Sequence, residues 1–378
     1  MKSIKELRKI KLLGMCMIAA LLYISSGANA CELFDDFPDF ISFTGDLAIN
    51  KTGEVVVDKK GNVYVNVTTV QNRVNLWQFS SDGDLLSTTD ICTGDAYGLT
   101  MDNKENIYIV VTGEDRGVYR VDRRGDVTLL PGTDQIVAAN ALTFDQRGNL
   151  YVTESLSGAP GDYGQGGIWR IPHRGEAELV LRDDLLTGTG AALGFPMGAN
   201  GIACYRGNLY VANSDKGLIV KIPIKRNEEL GQPEIWKVLE AIPEALLPPL
   251  PALPIMGDGI KIDEFGNMFI AVVSKCAVIK INAKDLTQET IAVLGSDTTD
   301  PLYAPLSTPN SVAFYPGMGL RKGLLVTNVG MIPGLGPGKG LVKIEIEAPG
   351  YPCHRVFRGW NMIHPRYWGM WFHMWFPD

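Results

Sequence analysis

Histidine is nearly absent from this chain. Four occur in 378 residues: His173 in a turn-like stretch and His354, His364 and His373 in the C-terminal tail. So thin a scatter offers no histidine base, and no Ser–His or Cys–His catalytic pattern is visible. Basic charge is short as well, with 35 Lys and Arg against 42 Asp and Glu and a net charge of −7. With no basic cluster beyond the N-terminus, a nucleic-acid surface is excluded. No segment carries helical periodicity over a useful length. The main apolar run, 12–24, is short for the roughly 20 residues a membrane-spanning helix needs.

What is present is a globular composition, 46% hydrophobic and 20% charged. The N-terminus reads as a secretory leader. Lys2, Lys5, Arg8, Lys9 and Lys11 precede the apolar core, and Ala28-Asn29-Ala30 gives a small-x-small cleavage pattern. The expected organisation is therefore a signal peptide over 1–30, a folded body over 31–350 and an aromatic-rich tail over 351–378. The mature chain is expected outside the cytoplasm, secreted or periplasmic. Cys31 directly follows the cleavage pattern, so a lipidated Cys31 anchoring the protein to a membrane is a second reading. Cys92, Cys204, Cys276 and Cys353 remain, and an oxidising compartment permits disulfides without fixing their pairing. Buried free thiols at Cys204 and Cys276 fit their apolar surroundings equally well.

One phrase repeats along the body: DKKGNVYVNV (58–67), DNKENIYIVV (102–111), DQRGNLYVTES (145–155), YRGNLYVANS (205–214) and DEFGNMFIAVV (263–273), with a weaker GLLVTNVG from Gly323. Asp-x-x-Gly-Asn is turn chemistry, in which Asp caps its own backbone while Gly and Asn tolerate positive φ. The flanking runs alternate and favour β-branched and aromatic residues. Further strand pairs follow, such as 167–172 with 177–182 and 217–224 with 234–239. Four strands per unit, six times over, predict an all-β, six-bladed β-propeller with four-stranded antiparallel blades. Residues 41–49 are the candidate outer strand that closes the last blade. Longer repeats hold a Gly-rich insertion (155–167), a Pro-rich apolar one (241–256) suited to a lid or a strap, and another at 331–340.

The residue opening each unit is Glu54, Tyr97, Asn140, Asn200, Asp258 and Asn310 in turn. The first strand of a blade lines the central channel, so these heads converge on one mouth. One reading makes them simple strand-entry caps. The alternative is a cation site, because facing carboxylates repel unless a cation lies between them. Oxygen ligands without His or Cys suit Ca²⁺, Mg²⁺ or Mn²⁺ and disfavour zinc.

NGIACYRGNLYVANSDKGLIVKI and GDGIKIDEFGNMFIAV, with GEVVVDKKGNVYV more weakly, resemble the senescence-marker-protein/gluconolactonase/luciferin-regenerating-enzyme family of six-bladed propellers, over roughly 45–330. That family is related to paraoxonase and diisopropyl fluorophosphatase. The resemblance implies one divalent cation, Ca²⁺ foremost, held by Glu54, Asn140, Asn200 and Asp258. It also implies hydrolysis of a lactone, ester or phosphotriester, with Asp258 as general base or nucleophile. The sequence departs from the family in two places. Val55-Val56 stands where Gly-Pro is usual after the Glu. Ala138 and Ala141 fill the region where sugar-lactone members carry Arg and Asp. With Tyr97 at the mouth, a hydrophobic or aromatic small molecule is the expected substrate, and Tyr97, Glu154 and Asn310 are its candidate contacts. A non-catalytic propeller with a structural calcium, and a metal-independent enzyme resembling strictosidine synthase, remain as alternatives. The tail holds Trp360, Trp368, Trp371 and Trp375. It reads either as a contact for a partner or membrane surface, or as a strap on the propeller.

Overall fold

The computed structural model describes residues 40–42, 49–155, 166–190, 196–247, 253–295, 302–304, 306–315, 322–330 and 339–346. The leader, Cys31, Cys353, the tail and the centres of the three insertions lie outside the described residues.

The described chain is a ring of six antiparallel sheets, a six-bladed β-propeller. A short strand β1 (Phe40–Ser42) comes first. Blade one is β2 (Ile49–Val57), β3 (Val63–Thr69), β4 (Arg73–Phe79) and β5 (Leu85–Thr93). Blade two is β6 (Asp95–Met101), β7 (Ile107–Thr112), β8 (Gly117–Val121) and β9 (Val127–Leu129). Blade three is β10 (Ala139–Phe144), β11 (Leu150–Glu154), β12 (Gly167–Ile171) and β13 (Glu178–Leu181). Blade four is β14 (Ala199–Tyr205), β15 (Asn208–Asn213), β16 (Leu218–Pro223) and β17 (Glu234–Val238). Blade five is β18 (Gly257–Ile262), β19 (Met268–Val272), β20 (Ala277–Ile281) and β21 (Gln288–Leu294), with a parallel fifth strand β22 (Tyr303–Ala304) on its edge. Blade six is β23 (Pro309–Tyr315), β24 (Lys322–Asn328) and β25 (Gly340–Ile346).

Blade six takes its outer strand from β1, with Phe40 opposite Val342 and Ser42 opposite Gly340. The start of the described chain thus closes the ring, and Ile49 already belongs to the inner strand of blade one. Among the described residues the only helical pieces are single 3₁₀ turns such as Thr133–Gln135 and Asp184–Leu186. No helix among them is long and apolar enough to cross a membrane.

The repeated phrase is the turn between the first two strands of a blade. Asp58 Oδ1 accepts from the backbone N–H of Lys60 and Asn62, both at 2.8 Å, and Asp58 Oδ2 accepts from Asn62 Nδ2 at 2.7 Å. The same three bonds recur at Asp102, Asp145 and Asp263. Gly61, Gly148 and Gly266 take φ near 90°, while the Asn residues do not enter the left-handed region. Asn is there for its side-chain donor, contrary to the expectation that it serves backbone freedom. Blade four lacks the Asp and turns instead on Arg206 (φ 47°) and Gly207 (φ 76°), the two positive angles of a tight hairpin.

Six apolar clusters form wedges between successive blades. Leu99, Ile109 and Val111 of blade two meet Val74 and Leu76 of blade one. Val65 and Trp77 of blade one meet Ala313 and Leu325 of blade six. The core is therefore a closed annulus around the channel. Cys92 and Cys276 are buried in it and Cys204 is half-buried, and all three are free thiols. Burial pushes the Cys92 and Cys276 thiols up to about 11 and the Cys204 thiol to about 12.

Glu105 occupies the glycine position of blade two at φ 64°. Its ion pair at 3.2 Å with an exposed Arg123 offsets little. Glu105→Gly is expected to raise stability by up to about 1 kcal/mol. Asp145→Ala, which strips three bonds from a buried carboxylate, is expected to cost about 2 kcal/mol. Urea unfolding of the two variants beside the wild type checks both signs.

Candidate functional site

Each head residue sits in a β-bulge. The register between inner and second strand slips between Thr52 and Val55, Ala96 and Leu99, Ala139 and Leu142, Ala199 and Ile202, Gly257 and Ile260, and Pro309 and Ser311. Glu54, Tyr97, Asn140, Asn200, Asp258 and Asn310 are the residues inside those slips. A bulge frees one residue from the ladder and re-aims its side chain.

The bulges touch in cyclic order. A Cβ on Gly53 would lie 2.6 Å from Tyr97 O, and one on Gly98 would lie 2.5 Å from Asn140 O. Thr153 Oγ1 donates to Asn200 O at 2.6 Å. A Cβ on Gly201 would run into Asp258 O, and one on Gly259 would lie 2.7 Å from Asn310 O. Asn310 Nδ2 donates to Gly53 O at 2.8 Å and completes the ring. The glycines beside the heads thus have a steric reason: the next blade's backbone fills the space a side chain would need.

Two carboxylates belong to this ring. Glu54 is buried, and its Oε2 accepts from Leu99 N at 3.2 Å. Burial raises its carboxyl above the usual range, partly offset by Lys261 and that N–H. The Asp258 carboxyl is pushed up to about 8, first by burial and then by Glu54, with Lys51 pulling it down. The Asp258 carboxyl thus feels the charge of Glu54. Asn200 is 2% exposed. Its Nδ2 donates to Ser214 Oγ at 2.9 Å, and Ser214 Oγ donates onward to Gly257 O at 2.6 Å. Asn200 Oδ1 is left buried without a partner. A buried acceptor of this kind is costly unless something is bound to it. Asn140 is half-buried in the bulge of blade three.

Three expected substrate contacts fare differently. Tyr97 is half-buried at the mouth, and Lys51 Nζ sits 2.9 Å from its ring centroid. Asn310 has both amide ends engaged, Nδ2 by Gly53 O and Oδ1 by Thr327 Oγ1 at 2.9 Å, so it is a bolt between the last and first blades. Glu154 is 1% exposed and accepts from Val137 N (3.1 Å), Trp169 Nε1 (2.9 Å) and Arg182 Nη2 (3.4 Å). Its carboxylate is spent on holding blade three together.

The sequence reading missed the residues that hold the heads. Asn66 Oδ1 accepts from Glu54 N at 2.8 Å, and Asn66 Nδ2 donates to Tyr97 O at 2.9 Å. Thr153, Ser214 and Thr327 do comparable work in blades three, four and six. The available signal was a polar residue late in otherwise apolar second strands, as in VYVN, LYVT and LLVT. Lys51 and Lys261 were also missed. Lys261 Nζ lies 3.9 Å from Glu54 Oε2, with side chains 15% and 8% exposed.

No family model matches the chain, and no curated protein matches it. Solved structures do. A protein carrying the name gluconolactonase superposes with TM-score 0.57 at 15% identity, covering 84% of this chain and 96% of its own. Regucalcin from Agrobacterium tumefaciens, a calcium-binding protein, gives 0.57 at 16% identity, with 82% and 95% covered. Luciferin-regenerating enzyme gives 0.58 at 16% identity, with 80% and 94% covered. The fold is theirs. It is the six-bladed propeller of the family that the head motifs resemble.

The donor set fits a hard cation. The described residues gather no three His, Cys, Asp or Glu side chains around one point. An ion held here would draw on the carboxylates of Glu54 and Asp258 and the amide oxygens of Asn140 and Asn200, a set of hard oxygens that suits calcium-type chemistry. The unpartnered Asn200 Oδ1, with its amide nitrogen tied to Ser214, is the observation that favours this.

The Asp258 shift has a measurable consequence for the cation-free protein. The folded pKa, about 8, lies above the ordinary aspartate value of 3.8, so the fold favours the neutral acid. The stability this proton contributes is complete below about pH 4 and is lost as pH rises through 8. Asp258→Asn is expected to melt like the wild type near pH 4 and higher than it at pH 9, in chelator. Thermal melts across that range check the divergence.

Proposed function

We propose that this protein is an extracytoplasmic, metal-dependent hydrolase of small lactones or esters, with hydrophobic or aromatic substrates preferred over sugar-like ones. The observation that carries the reading is the pairing of Glu54 and Asp258 in one field beside a buried, unpartnered Asn200 Oδ1. The names of its structural neighbours, gluconolactonase, regucalcin and luciferin-regenerating enzyme, support a lactonase-type chemistry and a divalent ion. The secretory character of 1–30 supports the compartment.

Glu54, Asn140, Asn200 and Asp258 would hold the ion, Ca²⁺ first, with Mg²⁺ or Mn²⁺ as alternatives. When bound, the ion supplies polarisation of the ester carbonyl and a lowered pKa for water. The protein does the rest. Ser214 keeps the Asn200 amide turned with its oxygen free. Leu99 N–H and Asn66 fix Glu54 at both backbone and carboxylate. Asp258 is the one head carboxylate with no hydrogen-bond donor among the described residues; neutral in the ion-free mouth, it would be ionised beside a bound cation and would then serve as general base toward water. The Tyr97 ring, held under Lys51, gives the mouth a flat apolar wall. Ala138 and Ala141 offer no charged grip on hydroxyl groups, which favours an aromatic ester over a sugar lactone.

The test is calorimetric titration of the mature protein with calcium beside Asp258→Ala, followed by a screen of lactones and aryl esters. The expected result is binding that the variant loses, and hydrolysis that chelation and the variant both abolish. A wild type that binds neither calcium, magnesium nor manganese would sink the reading.

A further inference from the structure

The mouth contains two ammonium groups that a simple four-ligand cation site does not need. Lys51 lies over Tyr97, and Lys261 pairs with Glu54. Lys261 belongs to β18, between the buried Ile260 and Ile262, which face the blade-four/blade-five core. Its own side chain leaves on the other side of the strand. Glu54 belongs to blade one. Blade six lies between the two, so the pair reaches across the channel. Among the described residues the other ion pairs join groups within one blade or between neighbours. Both side chains of this pair are largely withdrawn from water, at 15% and 8% exposure. A pair so placed is hard to break, because each partner alone is a buried charge.

We propose that Lys261 is a tethered counter-cation that occupies the Glu54 end of the ion site, and that a divalent cation binds only by displacing it. The inference rests on the cation-site reading above. Lys261 Nζ lies 3.9 Å from Glu54 Oε2, the oxygen that also accepts from Leu99 N, and its positive charge opposes a second cation approaching the same carboxylate in this water-poor mouth. With the ammonium in place, Glu54 is neutralised without any ion. The channel mouth then stays folded and charge-balanced when cation is scarce. When cation is plentiful, Lys261 swings out, and the mouth gains a divalent ion and loses a local ammonium. The site is therefore weaker and more concentration-sensitive than its ligand set alone would make it. The groups facing Lys261 are Glu54 two blades on, Asp258 three positions earlier on its own strand, and Lys51 on β2, the strand of Glu54. Lys51 adds to the repulsion and gives a displaced Lys261 no partner there.

The experiment is calcium calorimetry in low salt on the wild type, Lys261→Met and Lys261→Gln, with melting curves in chelator as a second readout. Two variants guard against a folding defect in either. The expected result is that both variants bind calcium at least tenfold more tightly than the wild type. They should also melt below it in chelator, because Glu54 is then buried and unpaired, and regain more than the wild type on adding calcium. Variants that bind while the wild type does not would uphold the inference and overturn the metal-dependent reading of the native protein. Wild type and variants binding with equal affinity, or variants binding more weakly, would overturn the inference alone. No binding by any of the three would overturn both.

Discussion

The structure depends on one irregularity placed six times. A bulge at the head of every inner strand pushes a single residue out of the ladder, and the backbone of the next blade presses against the gap it leaves. Inner strands of regular pleat would send alternate side chains into the inter-blade wedges, with none turned to the mouth. The bulge breaks that alternation where the six strands converge. It explains why Gly98, Gly201 and Gly259 follow their heads directly, although none of the three has a positive φ. The requirement there is space, not backbone freedom.

Convergence of polar groups has an energetic cost, and the second strands meet it. Asn66, Thr153, Ser214 and Thr327 are buried polar residues in β3, β11, the end of β15 and β24. Each bonds a head or its neighbouring carbonyl, so the ring of bulges is stitched from behind. A buried network of this kind is stable only when its members are satisfied. That makes Asn200 Oδ1, a head-residue atom buried without a partner, informative. Its own amide nitrogen is bonded to Ser214, so the unpartnered atom is the oxygen, which is the end a cation would seek.

The repeat, the blade number and the four-stranded unit were legible because turn chemistry and alternation are local. Asp58, Asp102, Asp145 and Asp263 make the bonds their spacing promised. The convergence of Glu54, Asn200 and Asp258 was legible because a propeller maps equivalent positions onto one circle. The partners that Asn310 and Glu154 already have were hidden for a common reason. Both are polar residues near the right end of a strand, and sequence position does not tell whether a side chain is already satisfied. Gly53 O and Thr327 consume Asn310, while Trp169 and Arg182 consume Glu154. Those partners come from other strands and could not be read along the chain. Lys261 was hidden more deeply. A lysine in GIKID looks like an exposed strand residue, and only closing the ring places it opposite an acid two blades away.

That placement changes how the chemistry of the mouth is to be weighed. Glu54 and Asp258 alone would form an acidic pair that demands a cation, and any likeness to calcium-binding propellers would then be nearly sufficient. Lys261 and Lys51 supply two positive charges of the chain's own against those two negative ones. A divalent ion must therefore offer more than neutralisation. What the lysines cannot offer is coordination: an ammonium presents donors in place of the directional electron-pair acceptance that several converging oxygens satisfy. Asn200 Oδ1 and the half-buried Asn140 would gain from an ion and would gain nothing from an ammonium paired with Glu54. The amide half of the site, more than its carboxylates, is where the argument for a metal in this propeller has its weight.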